Sequence, residues 1–276
     1  MTRPGGDSVS SRVAGVGRLR LRRWLYRAGG AAARIAALLF RRNLAAEFVL
    51  LRAVGVIGSG PTEVPSGVGE WFALLERNPL VGLTLFNVFD LVNYALLGVM
   101  FLALGATLGA GLRRARKRVM AAALVLGFAG IVIALASSRA FGMLSLGQRY
   151  AAATGTERAM LLGEGEKLLR VDNPGALSHG LGPTLALFLV TLAAVMIAVA
   201  MVRSPVFSRA TGTLGLVAEG AQMGYFAALA LAPTPALLAI PPSAAAPFRL
   251  VWYLLIGRRL FQLAAAEQGD GEAALN

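Results

Sequence analysis

Asn87, Asp90 and Asn93 recur at intervals of three, with Thr84 before them and Tyr94 after, in a stretch from Pro79 to Leu112 that holds no other formal charge. Residues three apart share one stripe of a helix, so the spacing sets a carboxylate between two amides. A second pair with the same spacing, Glu219 and Gln222, is the only strongly polar interruption of the run 210–231. An acid inside an apolar helix is costly in lipid and turns toward the bundle interior, where it holds a proton or cation or is neutralised by a base from another helix. Arg52 and Arg249 are the bases available within apolar stretches, and Glu47 is a further acid there. Glu47 and Arg52 lie about 140° apart around a helix, so they do not make a close intrahelical pair. The candidate polar intramembrane site is therefore Asn87, Asp90, Asn93, Glu219 and Gln222, with Glu47, Arg52 and Arg249 as charge partners. Structural pairing and an ion or substrate site both stay open.

Inventory removes most other chemistry. The chain has no cysteine, which excludes disulfides, thiolate zinc sites, iron–sulfur clusters and cysteine nucleophiles. His179 is the sole histidine, beside Gly180 and Gly182, so no His–His metal pair exists and no serine-based elbow or acidic dyad accompanies it. No H-E-x-x-H, P-loop, dinucleotide fingerprint or paired protease-type aspartates occur. No catalytic residue, metal or cofactor is expected.

The elements that must position the polar residues follow from composition. Apolar residues make up 57% of the 276 residues and the mean hydropathy is +0.66, a membrane composition. A net charge of +13 would suggest nucleic acid in a soluble protein, but its placement argues otherwise, and no nucleic-acid partner is expected. Arg113, Arg114, Arg116, Lys117 and Arg118 form a knot with apolar sequence on both sides. Those charges cannot sit in lipid, so the flanking runs are separate crossings joined at the cytoplasmic face, with anionic lipid headgroups as the partners of the knot.

The spans expected on this basis are 43–60, 82–112, 119–137, 181–202, 210–231 and 243–257. The first is weakened by Glu47 and Arg52, and the last is kinked near Pro247 and short unless Arg249 snorkels outward. Residues 1–42 read as a basic cytoplasmic tail and 264–276 as a cytoplasmic C-terminal tail. Glu70 to Asn78 reads as a short interfacial helix anchored by Trp71 and Phe72. The outer loop 138–180 contains an amphipathic helix opened by a Thr154-x-x-Glu157 capping box and stopped at Asp172-Asn173-Pro174, lying across the outer mouth as a lid. With these spans, nineteen Lys and Arg fall on the cytoplasmic side and six outside, as the positive-inside rule requires. Gly105-x-x-x-Gly109 and Gly220-x-x-x-Gly224 permit close helix packing within the bundle.

Four segments taken together resemble a family of bacterial six-helix integral membrane proteins catalogued only as a domain of unknown function. They are N-P-L-V-G-L-T-L-F-N-V-F-D-L-V-N-Y at Asn78 to Tyr94, L-S-L-G-Q-R-Y-A-A-A-T-G-T-E-R-A at Leu144 to Ala159, R-S-P-V-F-S-R at Arg203 to Arg209, and W-Y-L-L-I-G-R-R-L at Trp252 to Leu260. The resemblance covers roughly Trp71 to Leu263 and implies the same helical bundle and outer loop, with no activity or site residue attached. The expectation is an all-α polytopic membrane bundle of about six helices in a bacterial inner membrane, with both termini cytoplasmic. Its expected role is a non-enzymatic binding or scaffold protein. The alternatives are a small transporter or ion pathway built on the intramembrane acids and, last, a membrane enzyme.

Overall fold

The computed structural model describes residues 20–39, 67–109, 114–174, 180–231 and 233–273, with Gly17 and Pro65. The described residues hold helices and no strands: α1 (20–39), α2 (Val68–Arg77), α3 (Pro79–Leu85), α4 (Val88–Gly109), α5 (Arg114–Ser137), α6 (Ala140–Ala152), α7 (Gly155–Val171), α8 (Leu181–Val202), α9 (Arg209–Leu231) and α10 (Pro235–Ala273). Four candidate spans are long and apolar enough to cross a membrane: α4, the run Lys117–Ala152 that contains most of α5, α8 and α9. The expected span 43–60, with Glu47 and Arg52, lies outside the described residues, as do His179 and Arg113.

Small residues set the packing. A side chain on Gly130 of α5 would come within 2.8 Å of the Ala186 carbonyl and of Val190 on α8, while Gly127 lies opposite Ala193. These pairings run in opposite directions, so α5 and α8 are antiparallel and the exposed Lys117 and Arg118 lie at the end where α8 meets the Arg203–Arg209 turn. α9 folds back along α8, and α10 along α9. Close backbone approach of this kind drives helix association where no hydrophobic effect operates between helices. Of the two expected small-residue motifs, Gly105 faces Leu124 of α5 and Gly224 faces Pro241, whereas Gly109 and Gly220 face open space.

α1 closes the ring. Gly29 meets Ala103 of α4, Gly30 meets Phe261 of α10, and Ala32, Ala33, Ala36 and Ala37 are buried. Arg22 pairs with Glu267 at 3.4 Å and Arg27 donates to Gln268 at 2.9 Å. This part of the expected tail is thus a packed helix, because an alanine face lets it approach α4 and α10 closely. α10 likewise departs from expectation, since it is one helix of 39 residues with Pro241, Pro242 and Pro247 inside it. At 1.5 Å per residue it is about 58 Å long, about twice the hydrocarbon thickness of a bilayer. It encloses the expected span 243–257 and the helical part of the expected C-terminal tail.

The run read as one span, 82–112, breaks at Phe86–Asn87, where Asn87 takes φ 56. The break separates two buried cores. One belongs to the bundle, with Met100, Phe101, Ile197, Met201, Trp252 and Leu260 at its centre. The other joins α2, α3, α6 and α7 through Trp71, Phe72, Leu75, Phe86, Met143 and Leu161. Trp71 packs edge-on against Phe86 at 4.8 Å, and Phe72 lies 5.0 Å from Tyr150. Trp71 and Phe72 are therefore core residues of a helical cap, not interfacial anchors. Their helix needs a partner for a face this apolar, and α6 supplies it. Thr154 precedes α7, but its side chain makes no capping bond, and Gly155 enters the helix at φ 56. α7 ends at Val171, with Asp172 as its cap residue.

Candidate functional site

The bundle encloses a cavity of about 320 Å³ beneath the cap. α4 contributes Asp90 and, one turn on, Asn93 with its neighbour Tyr94, and Asn87, the left-handed residue just before α4, lines the same wall. α8 contributes Leu187, Val190, Thr191 and Ala194, also one stripe; α9 contributes Glu219; α10 contributes Arg249, Trp252 and Tyr253; and Leu39 of α1 completes the wall. A second cavity of about 140 Å³ adjoins it, sharing Asn87, Asp90, Tyr94 and Leu187 and reaching Phe86, Ser138 and Asp172 at the cap.

Glu219 and Arg249 form the floor. Arg249 Nε donates to Glu219 Oε1 at 2.9 Å, and Nη2 donates to Glu219 Oε2 at 3.2 Å and to Gln222 Oε1 at 3.2 Å. The Glu219 side chain is 4% exposed and that of Arg249 15%. The fork geometry of guanidinium on carboxylate makes this a strong, oriented pair. Arg249 thus turns inward to Glu219 and does not snorkel away from the bundle. Gln222, one turn beyond Glu219, is buried behind the pair and does not line the cavity.

Asp90 lies in the first turn of α4, where the helix dipole favours a carboxylate. It and Asn87 are exposed, whereas Asn93 is half-buried. Among the described residues, the buried Asn93 Oδ1 and Trp252 Nε1 have no hydrogen-bond partner. For Trp252 the reason is packing, because its indole edge lies 2.7 Å from where a Gly215 side chain would be.

The structure thus brings Asn87, Asp90, Asn93, Glu219 and Arg249 to one cavity, with Gln222 in support. Glu47 and Arg52 fall outside the described residues. Sequence reasoning missed Thr191, Trp252, Tyr253 and Leu187. The signal for Thr191 was faint, one of two hydroxyls in an otherwise apolar helix, and the aromatic pair in α10 reads equally well as ordinary core. Among the described residues no three acidic or histidine side chains are grouped for a metal ion. The arrangement offers hydrogen-bonding groups and charge to a bound molecule. No protein-family model, curated protein or solved structure matches the chain.

Proposed function

We propose that this chain is a multi-pass protein of a bacterial inner membrane that binds a small polar solute, without covalent chemistry, in the cavity under its cap. One observation carries the reading. Asn87 at the break before α4, and Asp90 and Asn93 on its first turns, converge with the Glu219–Arg249 pair on a single cavity of about 320 Å³. That size falls in the lower range of small-molecule sites, which run from about 300 to 1,000 Å³. A packed core needs neither the space nor three amide and carboxylate side chains facing it.

Orientation follows from the charges. Lys117 and Arg118, the 203–209 turn and Arg259, which donates to the Val206 carbonyl at 2.6 Å, gather at the end opposite the cap. The positive-inside rule assigns that end to the cytoplasm, places the cap outside, and gives the knot Arg113, Arg114, Arg116, Lys117 and Arg118 anionic headgroups as partners. Six crossings with both termini cytoplasmic are the corresponding topology. The resemblance to a bacterial membrane family carries no activity and does not choose among readings.

The chain has no native cysteine, so a single one reports cleanly. Thr191→Cys, deep in the cavity, and Leu187→Cys, one turn nearer the cap, should react with membrane-impermeant methanethiosulfonates added outside right-side-out vesicles. Val132→Cys, on an exposed apolar face of α5, should not. Failure of both cavity cysteines to react would sink the reading. Proton or cation flux in proteoliposomes that is lost in Asp90→Asn would replace binding with an ion pathway, a role favoured by the two adjoining cavities that Asp90 lines.

A further inference from the structure

Resting on the membrane orientation above, and not on the cavity under the cap, we infer that the groove between the 203–209 turn and α10 holds the phosphate of one anionic phospholipid of the cytoplasmic leaflet. The groove encloses about 390 Å³ at the end of the bundle opposite the cap, and both Arg258 and Arg259 line it. That volume is within the range of small-molecule sites.

The two arginines are held differently. Arg259 is half-buried and anchored, with Nε donating to the Val206 carbonyl at 2.6 Å and Nη1 to Gln262 Oε1 at 3.4 Å. Neither bond uses its Nη2 group. Arg258 is exposed and makes no hydrogen bond or ion pair among the described residues. One fixed guanidinium beside one able to close on a ligand suits a phosphate, which takes paired N–H bonds from arginine. The turn adds a further donor. Ser208 Oγ accepts from the Thr211 backbone N–H at 3.1 Å and shares a hydrogen bond with Thr211 Oγ1 at 2.8 Å, and both side chains line the groove. Two hydroxyls hold two protons and the bond between them uses one, so one hydroxyl is left to donate to an anion.

The apolar part of the groove points to a lipid as the source of the phosphate. Phe207 and Leu255 line it beside the arginines. Val251, Leu254, Leu255 and Arg258 follow one another at spacings of three and four, so they share one face of α10. On that face Val251 is 43% exposed and Leu254 45%. An exposed apolar track therefore runs from Arg258 along α10 toward the bilayer. A free phosphate makes no use of such a track, whereas a phospholipid lays an acyl chain on it while its phosphate meets the guanidinium groups. A headgroup with its own ammonium would bring that charge up to two arginines, a like-charge contact, so the groove favours a headgroup without an amine.

Lipid titration of the full chain in a neutral detergent tests this, read as melting temperature. Phosphatidylglycerol should raise it saturably, and Arg258→Gln should move the midpoint about fivefold higher, the effect of removing one basic contact with an anionic lipid. An exposed residue without a partner is a mild place to substitute, so the lipid-free melting temperature of Arg258→Gln should match wild type. Arg149→Gln makes the same charge change on the exposed surface of the cap and should leave the midpoint where it is. Phosphatidylethanolamine should act only at higher concentration, and sodium phosphate matched to the phosphatidylglycerol should have no effect. An unchanged midpoint in Arg258→Gln, an equal shift in Arg149→Gln, equal midpoints for the two lipids, or the same rise with sodium phosphate overturns the lipid site and leaves the membrane reading intact. A chain that stays in solution without detergent overturns both.

Discussion

Glu219 and Arg249 are thirty positions apart in the chain and meet in a two-bond pair on adjacent helices. Such a pair is weak evidence of stability as a whole but severe when halved, because the survivor is a buried, uncompensated charge. Arg249→Ala should lower stability by about 3–5 kcal/mol. The double variant Glu219→Leu/Arg249→Met should recover most of that loss, read as melting temperature in detergent micelles. A double variant no better than the single one would mean that the pair does more than cancel itself. At this scale much of the candidate site was legible. Asp90 and Glu219 stand out because a carboxylate in an apolar run has few places to go, and spacing tied Asn87, Asn93 and Gln222 to them. The direction taken by Arg249 was not legible, since a long side chain near a helix end reaches outward or inward equally well and only the neighbouring α9 decides. Trp252 and Tyr253 were invisible for a simpler reason: aromatics in apolar helices are ordinary.

α3 and α4 look continuous in sequence because nothing between Thr84 and Asp90 breaks a helix outright. The break rests on Asn87, whose φ of 56 belongs to the left-handed region. Asn is among the few residues that adopt it at modest cost, and Gly adopts it freely. Asn87→Gly should leave the melting temperature within a few degrees of wild type, whereas Asn87→Val should destabilise by about 1–2 kcal/mol, the penalty for a Cβ in this conformation. Equal effects of the two would mean that the amide, not the backbone, is what the position requires. α1 was misread for a related reason. Arg34 interrupts its apolar run, yet the guanidinium stacks over Phe261 at 4.4 Å, so its charge is accommodated while the alanine face packs. A helix whose buried face is alanine shows little hydrophobic contrast, and its partners are distant in sequence, α4 through Ala103 and α10 through Phe261.

Two cores make this a molecule in two layers, a bundle and a cap, joined where Asn87 turns the chain. The cap core is small and centred on Trp71, so truncation there acts on one layer first. Trp71→Ala should cost about 3–5 kcal/mol within the cap. In right-side-out vesicles trypsin should then cut at Arg149, Arg158 or Lys167 far faster, while Thr191→Cys in the same background keeps its modification rate. Loss of both together would show cap and bundle to be one cooperative unit. The sequence anticipated helical outer segments but not their union, because α2 is separated from α6 by the whole of α4 and α5, and only the fold brings their apolar faces together.

The closure of the ring by α1 and α10 bears on how the protein is made. Arg27 and Gln268, which hydrogen-bond, are 241 positions apart. Until the ribosome has released α10, the alanine face of α1 has no partner from that side and Glu219 has no arginine. A nascent chain that has made α9 but not yet Arg249 therefore carries Glu219 without its arginine, and α10 completes both the pair and the packing of α1. Chains cut short within α10 are the ones that quality-control proteases of the membrane should recognise first.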